Sequence, residues 1–510
     1  MASTKIIEDG ILKDYAAVSD ADIPPIPTLP AVRDRGPHDR PCEGHTKASL
    51  LSRHSSATSH LDGLRGLAAT FVFIQHLVGG FDLNVHERGF GENGNYYLAS
   101  LPFIRLIFSG GSAAVTVFFV LSGYVLAKSP LTVLRDGKQS TLNKGLLSSV
   151  VRRPFRLYLP VIAITGLTAV LVQFPTIMPS VAFVKALPSF EEQLGHWFRE
   201  TVKYLWPFQA HSPYYPYSQV IWTIPEELKG SLLIYFCTAL YSWVFHRRAP
   251  NVVVPVLFAA AVVLLLAFGK WDNACFLAGM AVCHWDVFWH NEGNLLPLSV
   301  TDGLSVNVKR AARKYRAYAM TVLSLYLLSQ PARSGDPVSS SQAPGYKTLH
   351  RLIPSAYSDW DYYRYWHSYG SILLLYSLLS LDATSPIRTF LTSRPLLYLG
   401  RISFMLYLVH IPVFGTLAGR VGAMFGNVSL GSPPSFWNDR LWIPDIGPAG
   451  CSSRFIASVA VLLPITIGVA ELGTRYIDRP SITVGKRLAQ RLGLEARQTV
   501  PSTADVKTTA

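Results

Sequence analysis

The stretch LDGLRGLAATFVFIQH, residues 61–76, decides the fold because it reads as the first turns of a membrane-spanning helix and yet carries three ionisable groups. These are an aspartate, an arginine and a histidine. Ionisable side chains are costly inside a bilayer, so those that occur there are a functional hypothesis by default. The stretch therefore predicts a membrane helix whose polar groups have a task.

The composition of the whole chain supports this interpretation. Of 510 residues, 49% are hydrophobic and 15% are charged, and the mean hydropathy is positive, which is too apolar for an ordinary soluble enzyme. The net charge of +14 comes from short basic clusters between apolar runs, so membrane topology explains it better than nucleic-acid binding, and no nucleic-acid partner is expected. The five cysteines form no CxxC pair, and neither a disulfide framework nor a metal site is predicted.

Apolar runs long enough to cross, or nearly cross, the hydrocarbon core recur along the chain. They predict an all-α, polytopic membrane bundle of about ten transmembrane helices, in a domain covering residues 59–482. A polar, proline-rich N-terminal tail, residues 1–58, is predicted to be disordered and has no signal-peptide pattern, and residues 483–510 form a C-terminal tail. The ten runs lie at about 61–81, 102–127, 157–174, 220–245, 252–268, 271–289, 315–328, 367–381, 396–417 and 455–477.

The lysines and arginines between the runs predict the orientation. With the N-terminus in the cytosol, the cytosolic segments carry about 30 of them and the opposite side about 11. Both termini are therefore expected in the cytosol, which requires an even number of spans. Asn427 begins a glycosylation sequon in a loop predicted to be lumenal. The endoplasmic reticulum or another endomembrane is the default location for such a chain.

The polar groups fall at particular depths. Arg65 and His76 are eleven residues apart, which returns them to nearly one helical face, about 16 Å apart along the axis. Glu226 and Glu227 open the fourth run close to the depth of His76, so we expect one of them to pair with its imidazole. His410 lies near the middle of the ninth run.

A second group of polar residues gathers at the predicted cytosolic edge. Ser122 lies near the end of the second run, and the motif VRRPFRLYLP places Arg153 and Arg156 one helical turn apart. Guanidinium groups suit phosphate oxygens, so a phosphorylated donor arriving from the cytosol would meet this cluster first. Taken singly, such arginines can also be topology anchors, and a histidine within a span can serve helix packing.

Taken together and in order, six blocks resemble those of the membrane acyltransferase-3 family of O-acyltransferases. They are LDGLRGLAATFVFIQH, FFVLSGYVLA, RRPFRLYLP, WTIPEELKGSLLIY, LGRISFMLYLVHIPV and ELGTRYIDRPSI, and they extend over about residues 60–480. The resemblance implies a ten-span enzyme that takes an acyl group, usually acetyl, from acyl-CoA on the cytosolic side and passes it to a hydroxyl. Acyl-CoA is then a co-substrate, and no permanently bound cofactor is expected. A single domain with a polar N-tail is similar to fungal members, which often acylate secondary metabolites.

The resemblance also assigns roles. It implies that Arg65 and His76 are essential and that Arg153 and Arg156 bind acyl-CoA. We expect His76 to be the general base and Glu226 or Glu227 to orient it. We expect the remaining substrate contacts from Ser122, Trp222 and His410. The fourth-run block departs from the family pattern, because Thr223, Ile224 and Pro225 follow the tryptophan where Ser-Leu is usual, which leaves the choice between the two glutamates open.

The sequence also leaves other functions possible. A proton-coupled transporter or flippase also uses buried histidine, glutamate and arginine, although the chain lacks the paired, broken helices of a duplicated carrier. A membrane scaffold without chemistry would not need ionisable groups at matched depths. The acceptor is either a hydroxylated small molecule or a carbohydrate hydroxyl, and membrane lipid surrounds the whole domain.

Overall fold

The computed structural model describes residues 58–179, 184–208, 215–245, 253–289, 306–332, 342–428, 435–448 and 451–495. These residues form helices and no β-strand, and Glu92 and Asn95 form an isolated bridge. In chain order the α-helices are α1 (Ser59–Gly79), α2 (Leu83–Glu87), α3 (Arg105–Ser109), α4 (Gly111–Arg135), α5 (Gln139–Val172), α6 (Phe190–Tyr204), α7 (Thr223–Phe245), α8 (Val253–Ala267), α9 (Trp271–Phe288), α10 (Val306–Leu328), α11 (Lys347–Arg351), α12 (Arg364–Ser380), α13 (Pro386–Leu391), α14 (Arg394–Val413), α15 (Gly419–Met424), α16 (Ser453–Gly473) and α17 (Arg479–Arg491). A π-helical turn, Phe414–Ala418, continues α14 into α15, and a second one, Thr474–Asp478, continues α16 into α17.

Helix α4 lies at the centre of the bundle and packs against α1, α5, α7, α9 and α12. Small residues allow its close crossing with α9. A Cβ on Gly123 would overlap the carbonyl oxygen of Phe276, and one on Gly279 would overlap that of Val120. Because lipid tails are as apolar as the side chains, membrane helices associate largely through such close van der Waals contact.

Helices α1 and α14 form a second close pair and run parallel to each other. Gly66 meets Gly400 near the start of both helices, and ten residues later on each helix His76 meets His410. A Cβ on Gly400 would overlap the carbonyl oxygen of Asp62, so glycine is required at this crossing. The glycine contact therefore sets how closely the two histidines approach.

The outer surface of the bundle suits a membrane. Among the described residues, four continuous helical stretches are long and apolar enough to cross one: Gly111–Arg135, Thr141–Leu171, Arg394–Met424 and Ser453–Arg491. Helix α8 is shorter and apolar all round, and it exposes large side chains such as Val256, Leu257 and Leu264. Exposed apolar faces of this extent are typical of lipid contact.

A helix lies over each of the ten predicted apolar runs, although some of their limits differ from the prediction. The second run was expected to start near residue 102, whereas α4 begins at Gly111 after the separate short helix α3. The arginine motif lies inside α5, which is 34 residues long, and not in a loop between spans. The predicted domain limit at residue 482 falls inside α17. Of the predicted N-terminal tail, residues 1–57 lie outside the described part of the chain. That all ten helices cross a membrane stays a prediction.

Candidate active site

Two histidines from the parallel helices α1 and α14 face each other inside the bundle. The ring centroids of His76 and His410 are 4.9 Å apart, and Nε2 of His410 is 3.3 Å from Nδ1 of His76. His410 is almost completely buried. The sequence placed both histidines within spans, and the structure brings them into contact.

The backbone of α1 fixes the tautomer of His76. Its Nδ1 lies 2.9 Å from the carbonyl oxygen of Val72, one helical turn earlier. A carbonyl oxygen can only accept, so Nδ1 carries the hydrogen when this bond forms. In the neutral ring the basic lone pair then belongs to Nε2.

The start of α7 joins the same region through a tyrosine of α14. The hydroxyl of Tyr407 donates to the carbonyl oxygen of Val220 and lies 3.2 Å from the hydroxyl of Thr223. The Tyr407 ring is 5.9 Å from that of His410. Tyr407 thus connects the beginning of α7 to the two imidazoles.

Glu227 is the acceptor in a fully buried ionic network. Its Oε1 accepts from Nη2 of Arg153 and from the hydroxyl of Ser122, and neither Arg153 nor Glu227 has an exposed side chain. The guanidinium Nε also donates to Ser231 Oγ at 2.8 Å, and that hydroxyl donates to the Glu227 carbonyl oxygen at 2.6 Å. Three residues predicted to belong to the site, Ser122, Arg153 and Glu227, are therefore brought together from α4, α5 and α7.

Glu226 has a different partner. Its carboxylate lies 2.5 Å from Nζ of Lys229, one turn along α7, and the side chain is mostly buried. The predicted pairing of His76 with a glutamate stays a prediction, and the contact that the structure shows beside the His76 ring is His410.

An arginine-lined pocket of about 180 Å³ lies between α4 and α5. Arg152 and Arg156 line it together with Ser129, Ser149 and Tyr235. Arg152 also has an ion pair, at 3.3 Å, with Glu495, which follows α17. Of the arginines in the motif, Arg152 and Arg156 thus face the pocket, whereas Arg153 turns into the bundle.

The pocket lies at the Arg65 end of the bundle. Ser112, at the start of α4, bonds to Gln75 near the end of α1, so the two helices are antiparallel and the second half of α4 returns toward the start of α1. There Arg65 donates to the carbonyl oxygen of Gly400 at 3.1 Å and pairs with Asp62 at 3.2 Å. The predicted separation of a basic end from a histidine end therefore agrees with the helix packing.

A buried arginine that the sequence did not single out completes the polar interior. The guanidinium of Arg364 lies 4.7 Å from the ring of Trp271, 4.9 Å from that of Tyr363 and 5.8 Å from that of Trp222. Its Nη1 donates to the carbonyl oxygen of Ser112 at 2.6 Å. Trp222 is thus a wall of a cation–π box. The only signal in the sequence was an arginine at the edge of an apolar run.

Asn427 is exposed, beside a second pocket of about 240 Å³ that Asp82 and Arg454 also line. Exposure is compatible with the predicted glycosylation, which stays a prediction, and the serine of the sequon lies outside the described residues. Within the described part of the chain, no group of three or more histidine, cysteine or acidic residues is placed to hold a metal ion.

Comparison with known proteins points to one family. The model of the acyltransferase domain family, Acyl_transf_3, matches residues 59–463. The O-acetyltransferase PaAT-1 of Phomopsis amygdali is 28% identical over 474 residues, which cover 86% of this chain and 85% of that protein. An acyltransferase of a Phoma species is 26% identical over 412 residues, 71% of this chain and 83% of the relative. The acyltransferase clz18 of Cochliobolus lunatus is 25% identical over 406 residues, 69% of this chain and 82% of the relative. No solved structure is significantly similar to the chain.

Proposed function

The chain belongs to the acyltransferase domain family, and from this premise we propose that it is an integral membrane O-acyltransferase that moves an acyl group from acyl-CoA to a hydroxyl of a small molecule. The name of the Phomopsis relative, an O-acetyltransferase, supports acetyl as the group transferred. The resemblance to fungal members supports an acceptor from secondary metabolism.

The observation that carries the proposal is the buried pair of imidazoles. Transfer to an alcohol needs a base within the bundle, shielded from bulk water, and His76 offers the Nε2 lone pair while Val72 holds the hydrogen on Nδ1. His410 packs against the same ring and restricts its orientation. His76 is therefore the proposed general base and His410 the residue that positions it.

The chemistry then follows in two proton transfers. Nε2 of His76 takes the proton of the acceptor hydroxyl while its oxygen attacks the carbonyl carbon of the thioester. The tetrahedral intermediate collapses, the carbon–sulfur bond breaks, and the imidazolium returns its proton to the sulfur of CoA. The products are the ester and CoA-SH, and no other reactant is required.

Acyl-CoA approaches the opposite, basic end of the bundle in this proposal. Arg156, with Arg152 beside it, lines a pocket of suitable chemistry for phosphate oxygens. Arg65 and His76 are about 16 Å apart along the axis of α1, a distance that an extended pantetheine arm can bridge. Arg153 supports this site from within, because its guanidinium is bonded to Glu227 and Ser231.

The remaining predicted site residues take supporting roles. Ser122 and Glu227 hold the inner end of the arginine motif, Trp222 forms a wall of the aromatic box beside the site, and Glu226 is held by Lys229. That Glu226 or Glu227 orients the His76 imidazole stays a prediction.

The membrane arrangement of the proposal follows the charge pattern. Ten helices cross the bilayer, both termini lie in the cytosol, and the donor pocket opens to the cytosolic side. The endoplasmic reticulum or another endomembrane is the proposed compartment. The domain extends over residues 59–482, with tails on either side.

The test uses membranes that contain the protein, labelled acetyl-CoA and a panel of alcohols, with ester formation as the readout. We expect His76→Gln to lower turnover by roughly 10²- to 10⁴-fold. His284→Gln is the matched control, because His284 is also buried but packs among Tyr241 and Phe288 on the far side of α9. Near-normal turnover in a correctly inserted His76→Gln protein contradicts the base role. Solute movement across the bilayer without any ester product favours a carrier instead.

A further inference from the structure

Arg105 is a buried arginine outside the machinery described so far. It opens α3, the short helix before the central helix α4, and only 2% of it is exposed. Its Nη1 has no hydrogen-bond partner among the described residues. A buried guanidinium without an acceptor is costly, so the arrangement calls for an oxygen atom that the described residues do not supply.

Several neighbouring groups also have unsatisfied buried atoms within the part of the chain that the structure describes. They are Nδ1 of His86, Nδ1 of His367 and Oε1 of Gln330. His86 and His367 lie close enough to Arg105 to interact with its charge, and Nε2 of His367 is 3.2 Å from the Gln330 carbonyl oxygen. A lone orphan atom can be a local imperfection, but donors and acceptors gathered from α2, α12 and the end of α10 form a coherent polar subsite.

The nearby residues with known partners leave this requirement unmet. The Tyr346 hydroxyl donates to the Tyr326 carbonyl oxygen at 3.1 Å, and the Tyr362 hydroxyl donates to that of Pro331 at 3.2 Å. Glu92 is near enough to stabilise the Arg105 charge, and its Oε2 accepts the Gly89 amide at 2.9 Å. The guanidinium is thus partly balanced in charge, and what Nη1 lacks is an acceptor oxygen.

The backbone leading into Arg105 is strained. Phe103, two residues earlier, has a φ of 68°, a left-handed conformation that a bulky aromatic residue rarely adopts. The Ser329 hydroxyl holds it by accepting the Phe103 amide at 2.9 Å. Such strain persists only where surrounding contacts impose it, and it concentrates at functional sites.

The subsite adjoins the proposed active site. His86 lies between the two, because a Cβ on Gly79, three residues after His76, would be 3.5 Å from Cδ2 of His86. Burial, and after it the charge of Arg105, lowers the pKa of His86 to about 4, so this imidazole is neutral at pH 7 and can bond as donor or acceptor. A molecule at His76 with a second polar group would therefore reach Arg105 past a neutral histidine.

We propose that Arg105 is the second recognition point for the acceptor and binds a carboxylate or carbonyl oxygen of the hydroxylated molecule whose hydroxyl is acylated at His76. The proposal rests on the proposed acyl transfer and names the acceptor class, a hydroxylated carbonyl compound. A plain alcohol satisfies the base but leaves the guanidinium without its acceptor.

The test compares three matched acceptor series with labelled acetyl-CoA and the full-length protein in lipid nanodiscs. The series are ω-hydroxyalkanoic acids from hexanoic to hexadecanoic acid, their methyl esters and the n-alkanols of equal length. At the best length we expect the wild type to prefer the carbonyl compounds over the alkanol by about 10- to 100-fold in kcat/KM, as for a hydrogen bond to a charged group. The acid and the ester then tell carboxylate recognition from carbonyl recognition.

Arg105→Met should abolish this preference while transfer to the alkanols changes by less than about threefold. The thermal midpoint of the ligand-free variant should stay equal or rise, because Met removes an unsatisfied buried cation. Arg440→Met, at an exposed arginine stacked on Phe436, is the matched control and should change neither quantity.

Each contrary result is distinguishable. Equal use of all three series by the wild type, or a preference that survives in Arg105→Met, overturns the subsite and leaves an ordered water as the partner of Arg105. A large loss of midpoint in the ligand-free Arg105→Met protein assigns the residue to structure and also overturns it. Failure of the wild type to acylate any alcohol, aromatic and branched ones included, counts against the proposed acyl transfer itself.

Discussion

The buried pair of Arg153 and Glu227 makes the sharpest prediction for the arginine motif. Neither side chain is exposed, and Glu227 accepts hydrogen bonds from Arg153 and Ser122. Arg153→Met therefore leaves a carboxylate in the interior without its cation. Removing one partner of a buried ion pair costs about 3–5 kcal/mol, which would be a large share of the stability of most domains.

A double variant distinguishes the cost of losing the whole ion pair from the cost of leaving one charge unpaired. Replacing both residues, Arg153→Met with Glu227→Leu, removes the uncompensated charge, so the free energy of unfolding should return to within about 2 kcal/mol of the wild type. Arg152→Met is the control on the same helix. Its ion pair with Glu495 is partly exposed, with side chains 21% and 28% accessible, and such a pair contributes about 1 kcal/mol or less.

Unfolding in mixed micelles of dodecyl maltoside and SDS, followed by tryptophan fluorescence, measures these free energies, and the KM for acetyl-CoA is measured in parallel. A loss in Arg153→Met no greater than in Arg152→Met would refute the reasoning from burial. If Arg153→Met raised the KM for acetyl-CoA while the free energy of unfolding stayed unchanged, Arg153 would have to contact the donor directly.

Arg156→Ala should raise the KM for acetyl-CoA by roughly tenfold or more with kcat nearly unchanged, because the proposed contact with a CoA phosphate is lost. Steady-state kinetics at several salt concentrations checks this. Gly400→Ala should destabilise the α1–α14 crossing by about 1–3 kcal/mol and lower the activity. Gly468→Ala, at a helical glycine with open space around it, is the control and should change neither quantity. Thermal unfolding and ester formation measure the two effects. Acidification from pH 7 to pH 5 should lower the free energy of unfolding by up to about 2 kcal/mol through His86. The reason is that the unfolded side chain takes up a proton near pH 6.5 and the folded one only near pH 4. His86→Phe should therefore show a smaller loss of thermal midpoint over this range, and an equal loss would exclude this cause.

Much of the helical framework was predictable from the sequence, because length and hydropathy are local properties. The apolar runs located ten helices, and helical periodicity placed Arg65 and His76 on one face. Depth along a helix axis was estimated from residue counts, and in the structure Arg65 and the arginine-lined pocket lie at one end of the bundle and His76 lies toward the other.

The choice of partners was not predictable in the same way. Similar depth made Glu226 and Glu227 the expected partners of His76, and the sequence did not indicate His410 as a neighbour. Only helix packing decides which residue lies beside His76, and the contact shown is His410. The helical spacing of the arginine motif was visible in the sequence. It does not predict that Arg153 turns into the bundle while Arg156 lines a pocket. Arg364 and Arg105 were missed because their environments are assembled from segments far apart in the chain.

The π-helical turn Phe414–Ala418, which comes soon after His410, has a consequence for chain length. A π turn holds one residue more than the α-helix it interrupts, so it has the form of a single-residue insertion. Because the five residues of the π turn cover about the rotation that four residues cover in an α-helix, deleting one residue there would restore an uninterrupted α-helix and leave the helix beyond it in nearly the same orientation relative to His410. This turn is therefore a place where the chain can lose one residue while α14 and the surface that follows, including Asn427, keep their relative orientation.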